Sequence, residues 1–521
     1  MKILLIKPIG KRFEDEQYYV DIGQGFLGTA LKKAGHEVRI LDCMREKLSW
    51  RKFERFIREN PYDFYALKAY SWAVQNANRT IEIIRKHHPR ALIGVGGPHP
   101  SGADAETLDH IPAADFAWQG EAEIQLPLFL GKLEVQSFPR PRTGSRDEDP
   151  GGAKFKVQRE EGQDSKGKGQ GAENENNSSP FTFDLSPSTL AGIPGLIYRS
   201  PEGVKANPPY FHENIDEFGY PDWELLQMEK YIKTSRKIRF LGNYYVPVVT
   251  SRGCPMSCSY CAAWRLSGKK IRRHSVEYVI GWIAELKKLY GIDFFAFVDD
   301  ALTADREYFV KLLEEIIRRD LKIHWDCAQN AVRFDNLDEE MLKLMERSGC
   351  FYLTVAVESG SLSTLKAMKR RADLDLVREK VNLIKRSTNM VVQGYFILGY
   401  PTDTWEDLKA TTRFSRELPL DAVQYFLFTP HPGSEIYQQL VAEGQLSHIN
   451  WTRWHYGDVS VQLQDVSRET LNFYHRWAYF RFYNQKRFII GKPKDELAPV
   501  KLDWFRDARS LIRAFLRELT S

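Results

Sequence analysis

Three cysteines, Cys254, Cys258 and Cys261, stand at C-x3-C-x2-C spacing within Ser251-Arg252-Gly253-Cys254-Pro255-Met256-Ser257-Cys258-Ser259-Tyr260-Cys261. The stretch is a tight, Gly- and Pro-containing loop that follows Val246–Val249, a short apolar run that reads as a strand. Three thiolates converging from one loop can hold three corners of a cubane iron–sulfur (4Fe-4S) cluster. The fourth iron is then open to a small chelating ligand, and Tyr260 is placed beside whatever occupies that corner. Other uses of the thiols compete. A structural zinc site needs four ligands, commonly in C-x2-C pairs, and Cys327 or Cys350 could supply the fourth from a distance. Disulfides are disfavoured, because only six cysteines occur in 521 residues and nothing indicates secretion.

Other polar residues sit where apolar runs end. Asp299 and Asp300 follow Phe294–Val298. Paired carboxylates there could be metal ligands, acid/base groups or loop caps, and Thr303 or Asp305 could start the next helix. Asp326, Gln329, Asn330 and Arg333 are polar enough to line a substrate cavity. Val355-Ala356-Val357 delivers a single Glu358 into a Gly- and Ser-containing turn with Ser359. His431 lies in the turn Phe428–Ser434, where a partnerless histidine is usually bland. Near the N-terminus, Gly96-Gly97 precede Pro98-His99-Pro100, and two glycines let the backbone approach a bulky ligand closely. His99 is equally a ligand contact or a satisfied turn histidine.

The elements that must position these residues follow a regular pattern. Lys2–Ile6, Val38–Asp42, Phe64–Leu67 and Ala91–Val95 read as strands, alternating with helical spacing over Phe26–Ala34, Trp50–Arg58 and Asn76–His87. Such alternation predicts parallel βαβ units in a doubly wound, Rossmann-like sheet, with ligands at the carboxyl ends of the strands. From about 240 to 440, six strand-like runs occur: Val246–Val249, Phe294–Val298, Ile323–Cys327, Leu353–Val357, Val391–Leu398 and Ala422–Phe428. The helical pattern between the fourth and fifth runs reads as one helix, Leu362–Ile384. Six βα units predict an α/β class fold with a partial TIM-type barrel.

The cysteine loop resembles the C-x3-C-x-aromatic-C signature of the radical S-adenosylmethionine (SAM) enzymes. The resemblance implies a 4Fe-4S cluster on Cys254, Cys258 and Cys261 whose open iron takes the amino and carboxylate groups of SAM, and reductive cleavage of SAM to a 5′-deoxyadenosyl radical. It further implies SAM contacts at Tyr260, at Asp299 or Asp300, at Glu358 with Ser359 in support, and at Ile397 in Gly394–Thr404, the strand that flanks adenine, where Asp403 replaces the usual Glu. The N-terminal third is similar to the cobalamin-binding domain that precedes many radical SAM cores. Ser71, then Gly96-Gly97 after 24 intervening residues, and the turn Gly120-Glu121-Ala122-Glu123 carry that match. It implies cobalamin contacts at Ser71, Gly96, Gly97, His99 and Glu121. The D-x-H-x-x-G signature is absent, and no histidine lies in Tyr18–Gly28 to hold the lower face. The alternative is a plain flavodoxin-like domain with a structural Gly-Gly turn.

Together these resemblances imply a cobalamin-dependent radical SAM enzyme. One SAM methylates reduced cobalamin, a second yields a radical that abstracts hydrogen from an unactivated carbon, and the methyl group is transferred to that carbon. An oxidative cyclase or rearranging enzyme with the same cofactors is the main rival, and a non-catalytic sensor of cluster and cobalamin is the rival from another class. A tRNA methylthiotransferase is disfavoured for lack of a second cysteine triplet. Expected partners are a small-molecule or peptide substrate and an electron donor such as flavodoxin or ferredoxin.

The totals fit this picture. Net charge is +5 from 74 basic and 69 acidic residues, with no dominant footprint for nucleic acid. Apolar content of 43% suffices for several cores. No run is long enough to span a bilayer, and the first residues do not read as a signal peptide, so a reducing cytoplasm is expected. Expected divisions are 1–137 (cobalamin-binding type), 138–180 (a low-complexity insertion rich in Gly, Ser, Asn and Lys), 181–239 (end of the first domain and linker), 240–440 (radical SAM core) and 441–521 (a helical, aromatic and basic region).

Overall fold

The computed structural model describes residues 1–10, 20–137, 187–234, 245–327, 334–370, 373–446 and 463–486, with 332, 449–451, 454 and 459–461 between them. The whole of the expected insertion 138–180, together with Gln329, Asn330 and Arg333 and the last helical pattern Trp504–Leu519, lies outside the described residues.

The first sheet contains β1 (Lys2–Lys7), β2 (Glu37–Asp42), β3 (Phe64–Lys68), β4 (Leu92–Gly96), β5 (Phe116–Trp118), β6 (Leu196–Ser200) and β7 (Gly203–Ala206). Their spatial order is β2-β1-β3-β4-β5-β6-β7. The first five are parallel, and β6 and β7 add antiparallel across one edge. Five consecutive residues of β1 are buried, as a strand covered by helices on both faces must be.

The chain then forms β8 (Tyr245–Val248), the short β9 (Ser251–Arg252) and β10 (Arg272–Arg273), β11 (Phe294–Phe297), β12 (His324–Asp326), β13 (Cys350–Glu358), β14 (Val391–Leu398) and β15 (Ala422–Leu427). Six of these make one parallel sheet in the order β15-β14-β13-β12-β11-β8, the partial barrel that the six βα units predict. β9 and β10 form a separate antiparallel ribbon that the sequence reading lacked. Asp305, not Thr303, is the N-cap of helix Arg306–Arg318 and accepts from the Tyr308 amide.

The helix expected over Leu362–Ile384 is two helices, Leu362–Ala367 and Leu374–Ser387. The first ends with Lys369 at φ +54, its amide bonded to Lys366 O and the Arg370 amide to Leu365 O. This is a Schellman stop built without glycine.

β15 is an edge strand of the second sheet, and helix Arg468–Lys486 covers it. Tyr479 Oη accepts from the Tyr425 amide at 2.9 Å and donates to Tyr425 O at 3.2 Å. Tyr483 Oη treats Val423 in the same way. Two phenols thus stand in for a missing neighbouring strand, which removes a template for edge-to-edge pairing. Among the described residues no helix is long and apolar enough to cross a membrane.

The two halves of the chain meet through helices and turns. Helix Pro98–Ala103, which begins after Gly97, lies against helix Ala263–Ser267, which begins just after Cys261. A Cβ on Gly102 would overlap Pro432 O in the turn after β15, and one on Gly433 (φ +86) would lie 2.9 Å from Gly102 Cα. Backbone meets backbone there, so neither position has room for a side chain.

Candidate active site

The β9–β10 ribbon closes the loop that carries all three cysteines, because Arg252 pairs with Arg272 across its base. Gly253 (φ +102) starts the loop where any Cβ would overlap Lys270 O. Inside it the Cys254 amide donates to Gly268 O at 3.1 Å and the Cys261 amide to Cys258 O at 3.1 Å. Ser259 fastens the loop from below: its amide donates to Met368 O at 3.1 Å, and its hydroxyl donates to Ala367 O at 3.0 Å and lies 2.9 Å from Tyr400 Oη. Burial pushes the Cys261 thiol up to about 12, with Cys258, Asp300 and Cys254 adding to the effect. Loading this loop with metal therefore releases a proton.

The zinc alternative finds no fourth ligand among the other cysteines. Cys350 opens β13, whereas the cysteine loop follows the carboxyl end of β8. Cys327 and Cys350 are both buried, each with its thiol 3.8 Å from Tyr352 O. Among the described residues no three His, Cys, Asp or Glu side chains converge on a single metal ion. Three half-buried thiols carried by one loop suit three corners of a larger body such as a cubane.

Beside the loop, Tyr260 Oη donates to Glu358 Oε1 at 2.8 Å. Glu358 ends β13 in the left-handed region, φ +70, with the β13–β14 register shifting at that point. A non-glycine residue held there is strained and turned out of the sheet. The sequence reading missed Arg370, which the Schellman stop delivers to this place. Its guanidinium donates to Ala356 O at 2.7 Å, and Tyr260, Glu358 and a hydrogen bond to Cys258 hold it charged against burial. Cation, carboxylate, phenol and thiol thus meet on one side of the loop.

The six implied SAM contacts divide between this cluster, which holds Tyr260 and Glu358, and the surrounding frame, where Asp299, Asp300, Ser359 and Ile397 lie. Asp299 belongs to the frame: it accepts from the Thr250 amide at 3.0 Å, Thr250 Oγ1 at 2.7 Å, Ser251 Oγ at 2.7 Å and the Ser251 amide. Its carboxylate holds the entry to the loop, mainly through Oδ1, where a SAM amino contact was the expectation. Asp300 bonds Ser267 and the Gly253 backbone, while burial pushes its carboxyl upward; it braces the two ends of the same loop. Ser359 Oγ lies 2.9 Å from Thr411 Oγ1 and accepts from the Ser361 amide, so it shapes the turn rather than facing outward. Ile397 is buried on β14, in an apolar cluster against which Tyr260 packs. Asp403 caps its own turn, accepting from Gly399, Tyr400 and Thr364. Burial pushes His431 down to about 4, so it is neutral near neutrality.

In the first domain, a Cβ at Gly96 would meet nothing within 4 Å, and Gly97 adopts φ +100. This is the carboxyl end of β4, and the open space suits a bulky planar ligand such as cobalamin. Ser71 lies beside it but bonds His99 Nδ1 at 3.0 Å. His99 is not available to a ligand: it is fully buried, its Nε2 lies 3.1 Å from His110 Nδ1, and Trp451 packs edge-on at 5.1 Å. Its expected cofactor contact is therefore replaced by a structural one. Burial, with His110 beside it, pushes His99 down to about 3. A folded pKa below the unfolded value of about 6.5 makes His99 stabilising above that pH, and the contribution is lost as pH falls. Between pH 6.5 and 5 the fold should lose about 2 kcal/mol from this group. Thermal midpoints across pH 5–7 should show a shallower slope for His99→Gln than for the unaltered protein.

Glu121 is likewise spent. Arg272 grips it with two bonds, Nη1–Oε2 at 2.7 Å and Nη2–Oε1 at 2.8 Å, and Arg252 Nη1 lies 3.1 Å from Oε1. Its expected cobalamin contact gives way to an ion pair between domains.

Comparison with known proteins agrees with these two halves. Residues 248–415 match the family model described as the Radical SAM superfamily, and residues 13–130 match the B12 binding domain. The chain is 25% identical over 474 residues to "Uncharacterized methyltransferase PH0819" of Pyrococcus horikoshii, covering 90% of this chain and 89% of that protein. It is 27% identical to the cytidylyl-2-hydroxyethylphosphonate methyltransferase of Streptomyces wedmorensis, over 85% of this chain and 82% of that one. The anaerobic magnesium-protoporphyrin IX monomethyl ester cyclase of Rubrivivax gelatinosus also matches, at 24% identity over 80% of this chain and 65% of its own length. Among solved structures, the radical SAM methyltransferase TsrM of Kitasatospora setae, with cobalamin and a [4Fe-4S] cluster bound, superposes with a TM-score of 0.62 at 16% identity, covering 85% of this chain and 78% of that one. With a thiol triad on the loop after β8 and a glycine cradle at the end of β4, the chain belongs to the radical SAM enzymes that carry a B12-binding domain.

Proposed function

We propose that the protein is a cobalamin-dependent radical SAM methyltransferase acting on an unactivated carbon of a small-molecule or peptide substrate, with a low-potential donor such as flavodoxin or ferredoxin in a reducing cytoplasm. The observation that carries the reading is the direct packing of helix Pro98–Ala103, which leaves the glycine cradle, on helix Ala263–Ser267, which leaves the thiol triad. When bound, the cluster supplies reductive cleavage of SAM and cobalamin supplies methyl transfer, chemistry that no side-chain acid or base can perform on an inert C–H bond.

The chain's own residues do the rest. Cys254, Cys258 and Cys261 hold the cluster. Arg370 places a buried positive charge beside the cysteine loop, suited to a carboxylate such as that of SAM, and Glu358, fixed by Tyr260, presents an acceptor next to it. Charge-assisted hydrogen bonds of this kind are the strong ones. The apolar body of Ile397 on β14 walls the site from below. Gly96 leaves room for the corrin, Gly97 (φ +100) makes the turn that follows it, and Ser71 is anchored by His99.

Anaerobic reconstitution with iron, sulfide and hydroxocobalamin, followed by reductant and methyl-labelled SAM, tests the reading. A methyltransferase should form S-adenosylhomocysteine as well as 5′-deoxyadenosine, with the label transferred to product. Production of 5′-deoxyadenosine with no S-adenosylhomocysteine would instead assign the protein to the oxidative cyclases.

A further inference from the structure

The buried charges at the base of the cysteine loop do more than join two halves of the chain. Arg252 and Arg272 are cross-strand partners on the ribbon, and both reach the Gly120–Glu123 turn after β5. Arg252 bonds Glu121 and also Glu123 at 2.9 Å. The four side chains are 14%, 2%, 6% and 9% exposed for Arg252, Arg272, Glu121 and Glu123. The Arg252 guanidinium is further held between rings, 5.2 Å from the Phe26 centroid and 4.7 Å from that of Phe218. Arg272 also donates to Ser267 O and His212 O. Each of the four side chains thus has at least one oppositely charged partner in the cluster.

The turn it grips is itself tied to the cradle. The Gly120 amide donates to Ser101 Oγ at 3.0 Å, and Ser101 Oγ donates to Gly97 O at 3.0 Å. A continuous path therefore runs by hydrogen bonds from Gly97 through Ser101 to Gly120, along the chain to Glu121, and by its ion pair to Arg252, two residues before Cys254. Buried two-for-two pairing is geometrically demanding and poorly tolerant of loss of one partner, since an uncompensated charge is left behind. Its value lies in specifying one arrangement.

On the reading of two cofactor sites given above, we infer that Glu121, with Arg252 and Arg272, is a positioning unit that fixes the cysteine loop relative to the glycine cradle, so that the separation of the two cofactors is set by this clamp and not by the linker between the domains. These residues touch neither cofactor in this role. They determine whether a radical formed at one site meets the methyl donor at the other.

The test uses the full-length protein reconstituted with both cofactors, comparing Glu121→Gln with the unaltered chain. Glu121→Gln keeps the shape but leaves Arg252 and Arg272 short of charge. Iron and corrinoid content should stay near that of the unaltered protein. The spin–spin interaction between the reduced cluster and Co(II) corrinoid, read by electron paramagnetic resonance, should broaden or vanish. The ratio of 5′-deoxyadenosine to methylated product should rise about tenfold, the scale of losing an outer-shell partner. An unchanged interaction and ratio in a fully loaded variant would overturn the inference. If Glu121→Gln does not fold, Arg252→Lys is read in its place, because it keeps the charge but cannot span two carboxylates; an unchanged interaction there overturns the inference equally. Hydrogen exchange on the chain without cofactors separates this inference from the functional reading. Residues 251–273 and 97–103 should both lose protection in the variants, whether or not cobalamin binds. Unchanged protection in both segments would also sink the clamp.

Discussion

A Cys258→Ala protein should fold, melt close to the unaltered chain, and fail to form 5′-deoxyadenosine from SAM under strong reductant. The thiol is partly exposed at the loop surface, and substitutions away from buried features usually change stability by no more than about 0.5 kcal/mol. Its chemical loss is of another order. Removing an outer-shell partner of a bound metal costs about 10–100-fold in affinity or activity, and Cys258 is proposed as a direct ligand, so the fall should exceed 100-fold. Iron content after anaerobic reconstitution and chromatographic detection of 5′-deoxyadenosine read the two halves of the prediction. Arg370, which bonds Cys258, keeps its bond to Ala356 O in the variant. Normal iron content with normal SAM cleavage in Cys258→Ala would refute the thiol triad.

Gly102→Val should uncouple the domains. The added Cβ alone would overlap Pro432 O, lie 2.8 Å from Pro432 C and 3.2 Å from Pro432 Cβ. The obstacle is backbone, so no side-chain rotation relieves it. Overpacking of this kind costs about 1–3 kcal/mol and occasionally more, and a β-branched residue belongs at the upper end. Helix Pro98–Ala103 would be forced off the turn after β15, moving the cradle away from the cysteine loop. A lowered melting temperature together with reduced corrinoid retention is the expected outcome. Gly131→Ala supplies the contrast. A Cβ there meets nothing within 4 Å, the site lies inside helix Gln125–Ser137, and the change should stabilise by about 0.5–1 kcal/mol. Equal melting temperatures for the two variants would show that the Gly102–Pro432 contact does not hold the domains together.

The parts of the site that were legible in the sequence are those whose meaning is local. Three thiols at fixed spacing after an apolar run narrow their chemistry before any folding is considered, and the continuous apolar runs of β1 and β11 specify buried parallel strands. Gly96-Gly97 was readable because paired glycines mark a close backbone approach whatever surrounds them. What was not legible depends on partners far along the chain. A carboxylate such as Asp299 reads the same whether it faces a ligand or is saturated by Thr250 and Ser251. His99 was balanced between two roles until His110 and Trp451 occupied its free edges. Arg370 was passed over because the helix it follows ends without a glycine or proline, at Lys369, and an uninterrupted helical pattern would have carried it elsewhere. Glu121 was assigned to a ligand by resemblance, whereas the arginines that consume it lie 131 and 151 residues downstream.

That last separation sets an order of events during synthesis. Ribosomes elongate at about 5–20 residues per second, so roughly 8–30 s pass between the appearance of Glu121 and that of Arg272. Through that interval the nascent first sheet can complete its five parallel strands and its antiparallel edge while Glu121 and Glu123 remain hydrated anions. Two unpaired negative charges on the future docking face oppose premature burial of that face against another emerging chain. Docking becomes favourable only once the ribbon with its two guanidinium groups has left the exit tunnel, which makes assembly of the two halves the late step of biogenesis.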